Sequence, residues 1–137
     1  MAFTISEASR QSGCPAPTIR YYESIGLIAA PDRNANGRRS FERSDVHRLV
    51  FIRRCREFGL SIGQVRDLVA ASEKGVRACA PARAIVADHL KAIRQQRAEL
   101  RLLEASLQQV HSRCCEVCDT GKPVKCTIFE DIGASTQ

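Results

Sequence analysis

Between Pro81 and His111 the chain repeats an apolar residue every seven positions, at Val86, Ile93, Leu100 and Leu107, and Leu103 and Val110 add a second row in the later part. This is a coiled-coil seam on a long helix. His89 and Gln96 interrupt its second row, and the spacing alone does not choose parallel or antiparallel pairing. In a chain of 137 residues such a helix leaves room for one small domain, with the helix as an oligomerisation element. No apolar run approaches the ~20 residues that span a bilayer. The first residues, MAFTISEASRQSG, are polar and acidic where a signal peptide has a basic start and an apolar stretch, so a cytoplasmic protein is expected.

Five of the seven cysteines frame this helix: Cys79 lies just before it, and Cys114, Cys115, Cys118 and Cys126 follow it. An odd total with an adjacent pair fits a disulfide framework poorly, and clustered thiols in a reducing cytosol point to metal or redox chemistry. A helix over 81–111 at ~1.5 Å rise per residue separates the two groups by ~45 to 50 Å. If Cys79 shares an ion with the later cysteines, it must come from a second, antiparallel chain. The metal then bridges a homodimer.

The other half reads as a DNA-binding unit. Residues 4 to 12 form a short helix capped by Thr4 or Ser6 and closed by Gly13. Pro15 and Pro17 open a second helix carrying TIRYYESI, ended by Gly26. Together they make a helix-turn-helix candidate. LIAAPDRNANGRRSF, with Asn36 and Gly37 at its centre, predicts a β-hairpin wing. A helix over Asp45 to Phe58 follows, then another opened by the capping box Ser61 and Gln64. Residues 1 to 72 hold eleven arginines against seven acidic residues, most of the net charge of +6, which suits a polyanionic partner. An amphipathic helix would also explain TIRYYE, with Ile19 and Tyr22 as core. The wing arginines and the cluster Arg53, Arg54 and Arg56 favour DNA.

This order of elements, with TIRYYESIGLI, NGRRSF and DVHRLVFIRRCREFGLS, resembles the MerR family of transcription regulators over essentially the whole chain. The resemblance implies a mainly α fold: a winged helix-turn-helix domain at 1–75, a linker and long antiparallel coiled-coil dimerisation helix at 76–112, and a C-terminal metal-binding loop and tail at 113–137. It implies that Arg20 and Tyr21 of the recognition helix, Arg39 and Arg56 contact double-stranded promoter DNA, with Tyr22 partly buried beside them and Arg33 and Arg38 as backbone contacts. Arg38 and Phe41 stand where the family commonly has tyrosines, so the wing lacks the hydroxyl contacts expected there.

Cys79, Cys114 and Cys126 are placed as in the family's sensors of zinc, cadmium, lead or mercury, which implies a soft divalent ion held by thiolates. Cysteine at 79 argues for a divalent ion, since the family's copper and silver sensors usually have serine there. The preferred set takes Cys79 from one protomer and Cys114 and Cys126 from the other. Cys115, Cys118 and His111 remain open as ligands of a second ion or replacements for Cys114. Cys14 and Cys55 read as small buried hydrophobes. The resemblance implies a non-enzymatic activator that works with RNA polymerase. The alternatives are an iron–sulfur redox sensor using the tail cysteines, and a thiol oxidoreductase using the CxxC of Cys115 and Cys118, which lacks the expected βαβ pattern.

Overall fold

The computed structural model describes residues 2–118 and 126–134, and the chain forms two compact units, Met1–Ala87 and Asp88–Gln137. Local capping chemistry sets the limits of the first unit's helices. Helix α1, Ile5–Ser12, starts at Thr4, whose hydroxyl accepts from the Glu7 amide while the Glu7 carboxylate accepts from the Thr4 amide. Those bonds hold the Glu7 carboxyl below its ordinary range. Gly13 ends α1 in the left-handed region at φ +77°, the first step of the turn into α2, Ala16–Ser24. Pro15 caps α2 and Pro17 sits in its first turn, where a missing amide costs little.

The wing is smaller than the sequence suggests. Strands β1, Asp32–Arg33, and β2, Arg39–Ser40, pair antiparallel with Asp32 opposite Ser40 and Arg33 opposite Arg39. The predicted Asn36–Gly37 tight turn is part of a longer connection organised by Asn34. The Asn34 side-chain oxygen accepts from the amides of Asn36 and Arg38 at 2.9 and 3.0 Å, and Gly37 takes φ +76°. Phe41 then bridges back to Phe3 through two main-chain hydrogen bonds.

Helix α3, Arg43–Glu57, begins two residues before the expected Asp45, because Glu42 and Asp45 form a reciprocal cap at its start. Helix α4, Ile62–Ser72, begins at the anticipated capping box of Ser61 and Gln64. Ala8, Ile19, Leu49, Ile52 and Val65, one side of each of the four helices, make the core with Phe41 of the wing. Phe41 is 0% exposed. It is a packing residue of the core.

A 3-10 helix, Gly75–Ala78, leads from α4 into α5, Cys79–Cys118. The heptad spacing predicts 81–111, but the observed helix runs further at both ends. Pro81 lies within the first turn, where proline is tolerated, and no glycine or proline follows His111 until Gly121. Cys114, Cys115 and Cys118 are therefore helical residues and not part of a loop after the helix. Within the second unit, Leu100, Leu103 and Leu107 are exposed, Leu100 by 64%. Helix α6, Thr127–Ala134, is tied to α5 by an ion pair between Arg113 and Asp131 at 2.7 Å. The loop expected to close over a metal falls on residues 119–125, outside the described residues.

Candidate DNA-binding and metal-binding surfaces

In the first unit, one concave face gathers Arg20 from α2, Arg33, Gly37, Arg38 and Arg39 from the wing, and Thr4, Ile5 and Ser6 at the start of α1. Four of the predicted DNA-contact residues thus converge, although twelve residues separate Arg20 from Arg33, the nearest of the wing arginines in sequence. Arg20 and Arg38 are exposed. Arg33 donates to the Gly37 carbonyl at 2.7 Å, which stiffens the wing turn beneath its own charge. Arg39 donates through Nε to Glu23 of α2 at 2.7 Å, so the wing is joined to the last turn of α2. No local pattern in the chain signals this Glu23 partner. The concavity is lined by four arginines, an arrangement suited to phosphate.

Two of the predicted residues lie elsewhere. Tyr22 and Arg56 line a separate groove with Gly13, Cys14, Thr18 and Arg53. Tyr22 is buried, and burial raises its phenol pKa, whereas Tyr21 is 52% exposed. Arg56 donates to the Leu60 carbonyl at 2.6 Å and closes the turn between α3 and α4. Cys14 and Cys55 are buried as expected, and desolvation pushes both thiols up, which keeps them protonated.

The remaining cysteines occupy the ends of α5 and the start of α6. Cys79 is the first residue of α5, is exposed, and receives a donor from Arg83, one turn on, at 3.7 Å. Sequence reasoning missed Arg83, although its i,i+4 spacing from Cys79 on a helix is the signal that finds it. At the other end, His111, Cys114, Cys115 and Cys118 fall at i, i+3, i+4 and i+7, on one helix face. The Cys114 and Cys118 sulfurs are 3.7 Å apart, and Cys115 Sγ is 3.9 Å from His111 Nδ1. Two thiolates each ~2.3 Å from a tetrahedral ion are separated by roughly that same sulfur distance. The donor chemistry and the bite of this pair therefore fit a soft metal ion. Cys126 is exposed and precedes Thr127, whose buried hydroxyl oxygen has no hydrogen-bond partner among the described residues. Among the described residues of one chain, no three metal-ligating side chains come together.

The sheet among the described residues is the two-stranded wing. Comparison with known proteins gives the family. The family model of the MerR HTH family regulatory protein matches residues 3–72, and that described as MerR, DNA binding, matches residues 46–110. The HTH-type transcriptional regulator HmrR of Rhizobium leguminosarum bv. viciae is 43% identical over 110 residues, covering 80% of this chain and 84% of that protein. The regulator ZntR of Escherichia coli K12 is 31% identical over 136 residues, covering 97% and 95%. The crystal structure of the transcription regulator PbrR691 from Ralstonia metallidurans CH34 in complex with lead(II) superposes with a TM-score of 0.79 at 29% identity, covering 95% of this chain and 98% of that one. Matched by both family models and by such regulators along most or nearly all of its length, this chain belongs to the MerR family of transcription regulators.

Proposed function

We propose that this regulator is a homodimer that senses a soft divalent ion, zinc, cadmium, lead or mercury, and activates genes for resistance to that ion or its export from the cytoplasm. The observation that carries this is the position of the thiols on α5. Cys79 opens one unbroken helix of 40 residues that ends at Cys118. At ~1.5 Å per residue, the 35 residues from Cys79 to Cys114 correspond to ~50 Å along it. An ion shared by both ends takes Cys79 from one protomer and the later cysteines from an antiparallel partner. The exposed apolar seam of α5 supplies the surface for that pairing. Relatives of known name support a metal effector, the lead(II) complex of PbrR691 above all.

In the preferred set Cys79 joins Cys114 and Cys126. The 3.7 Å chelate of Cys114 with Cys118, and the His111–Cys115 pair beside it, supply the alternative ligands or hold a second ion. Arg20, Tyr21, Arg33, Arg38 and Arg39 face double-stranded promoter DNA, with Arg56 and Tyr22 on the adjoining groove. The dimer's twofold axis sets two recognition helices on a palindromic operator. Ligation fixes the start of one α5 against the end of the other and biases the angle between the DNA-binding units. Allosteric coupling of ~1 to 3 kcal/mol is comparable with the cost of untwisting or bending a promoter, so this bias is enough to realign promoter elements for RNA polymerase.

In vitro transcription from the native promoter, challenged in turn with zinc, cadmium, lead, mercury and copper, tests this function. Activation by one or more of the divalent ions is expected. A response to copper alone would overturn the role given to Cys79.

A further inference from the structure

Two arginines of the first unit donate to main-chain carbonyls on either side of α2. Arg53 of α3 donates through Nε to the carbonyl of Ser12, the last residue of α1, at 2.8 Å. Its side chain lies over Gly13, where an added Cβ would stand 3.0 Å from Arg53 Nε and 3.2 Å from its Cδ. A methyl group at position 13 would press tightly against this arginine, apart from the strain of φ +77°. Arg66 of α4 makes the corresponding contact at the far end of α2: its Nη2 donates to the carbonyl of Ile25, the C-cap residue, at 2.8 Å. Both acceptors are helix-terminal carbonyls, which lack intrahelical donors and carry the negative end of the helix dipole.

We propose that Arg53 and Arg66 are positioning residues that clamp the turn entering the recognition helix and the end leaving it onto α3 and α4, and do not act as phosphate contacts. A guanidinium with a donor committed to a carbonyl is held in one orientation, and its planar fork sets the approach of the two backbones. Arg66 has a further consequence. Its helix leads through Gly75–Ala78 to Cys79, thirteen residues on, so displacement at the start of α5 reaches α2 through the Arg66–Ile25 bond. This rests on α2 being the helix that reads DNA, as proposed above.

The two roles differ in salt dependence. Removing one phosphate-binding charge lowers the slope of log affinity against log salt by ~0.9, equally on operator and on unrelated DNA. Removing a clamp leaves that slope intact and weakens operator recognition selectively. The full-length dimer should be titrated with operator and scrambled duplexes at several salt concentrations, as wild type, Arg66→Gln and Arg66→Lys. Both variants are expected to lose operator affinity by about tenfold, with an unchanged slope and little loss on scrambled DNA. A reduced slope in Arg66→Gln restored by Arg66→Lys would overturn the proposal, as would wild-type affinity in both. Amide hydrogen exchange without DNA separates this from a failure of the DNA-face assignment. Faster exchange at Ile25 to Leu27 in Arg66→Gln is expected whichever face meets DNA, and unchanged exchange would refute the clamp. For Arg53 the lysine variant, which keeps an aliphatic stem over Gly13, serves if Arg53→Gln does not fold.

Discussion

Replacing Cys79 by serine should reduce metal-induced transcription to the uninduced level while operator affinity stays within about twofold of wild type. Serine is close in size to cysteine and is acceptable in the first turn of a helix, so α5 should form as before. What disappears is a soft anionic donor, for which a hydroxyl is a poor substitute on a thiophilic ion. Operator affinity should survive because Cys79 lies outside the concave face of Arg20, Arg33, Arg38 and Arg39. The paired measurement is transcription against metal concentration and duplex binding by the same protein. Full induction by the serine variant would remove the bridge between protomers. The matching changes at Cys114, Cys118 and Cys126 would then rank the ligands at the other end, where the 3.7 Å pair predicts that Cys118 matters in concert with Cys114.

The second large effect is on stability. Phe41→Ala should destabilise the DNA-binding unit by ~3 to 5 kcal/mol, the range for truncating a buried phenylalanine and a large part of the ~5 to 15 kcal/mol available to a small domain. The side chain is fully enclosed, among the largest in the core, and its backbone holds the wing to Phe3. Loss of operator binding should therefore accompany a lower urea midpoint, although residue 41 reads no base. An unchanged midpoint with weakened DNA binding would overturn this packing role.

Much of the fold was legible because it depends on neighbours in sequence. Thr4 with Glu7 and Ser61 with Gln64 announce helix starts by their own hydrogen-bonding chemistry, and Gly13 announces a stop. The limits of α5 were less legible, for a physical reason. A heptad pattern reports which face of a helix is covered, not where the helix ends. The stretch HSRCCEVC leaves the leucine seam but contains nothing that breaks a helix, and so α5 continues to Cys118. The sorting of arginines was hidden for a different reason. Arg20 and Arg66 are the same residue type on amphipathic helices, and only the tertiary approach of Ile25 shows that one faces a groove while the other holds a carbonyl. The turn built on Asn34 was likewise obscured by the more conspicuous Asn36–Gly37.

The burial of Cys14 and Cys55 divides the seven thiols into two chemical populations. Five stand at the ends of α5 and the start of α6, open to ions and reagents in some degree, and two are sealed in the core of the DNA-binding unit. A native thiol titration of the metal-free protein should accordingly plateau at five equivalents and reach seven only on unfolding. The pair of slow thiols is an internal gauge of whether that unit is folded, read in the same assay that counts the sulfurs available to a metal.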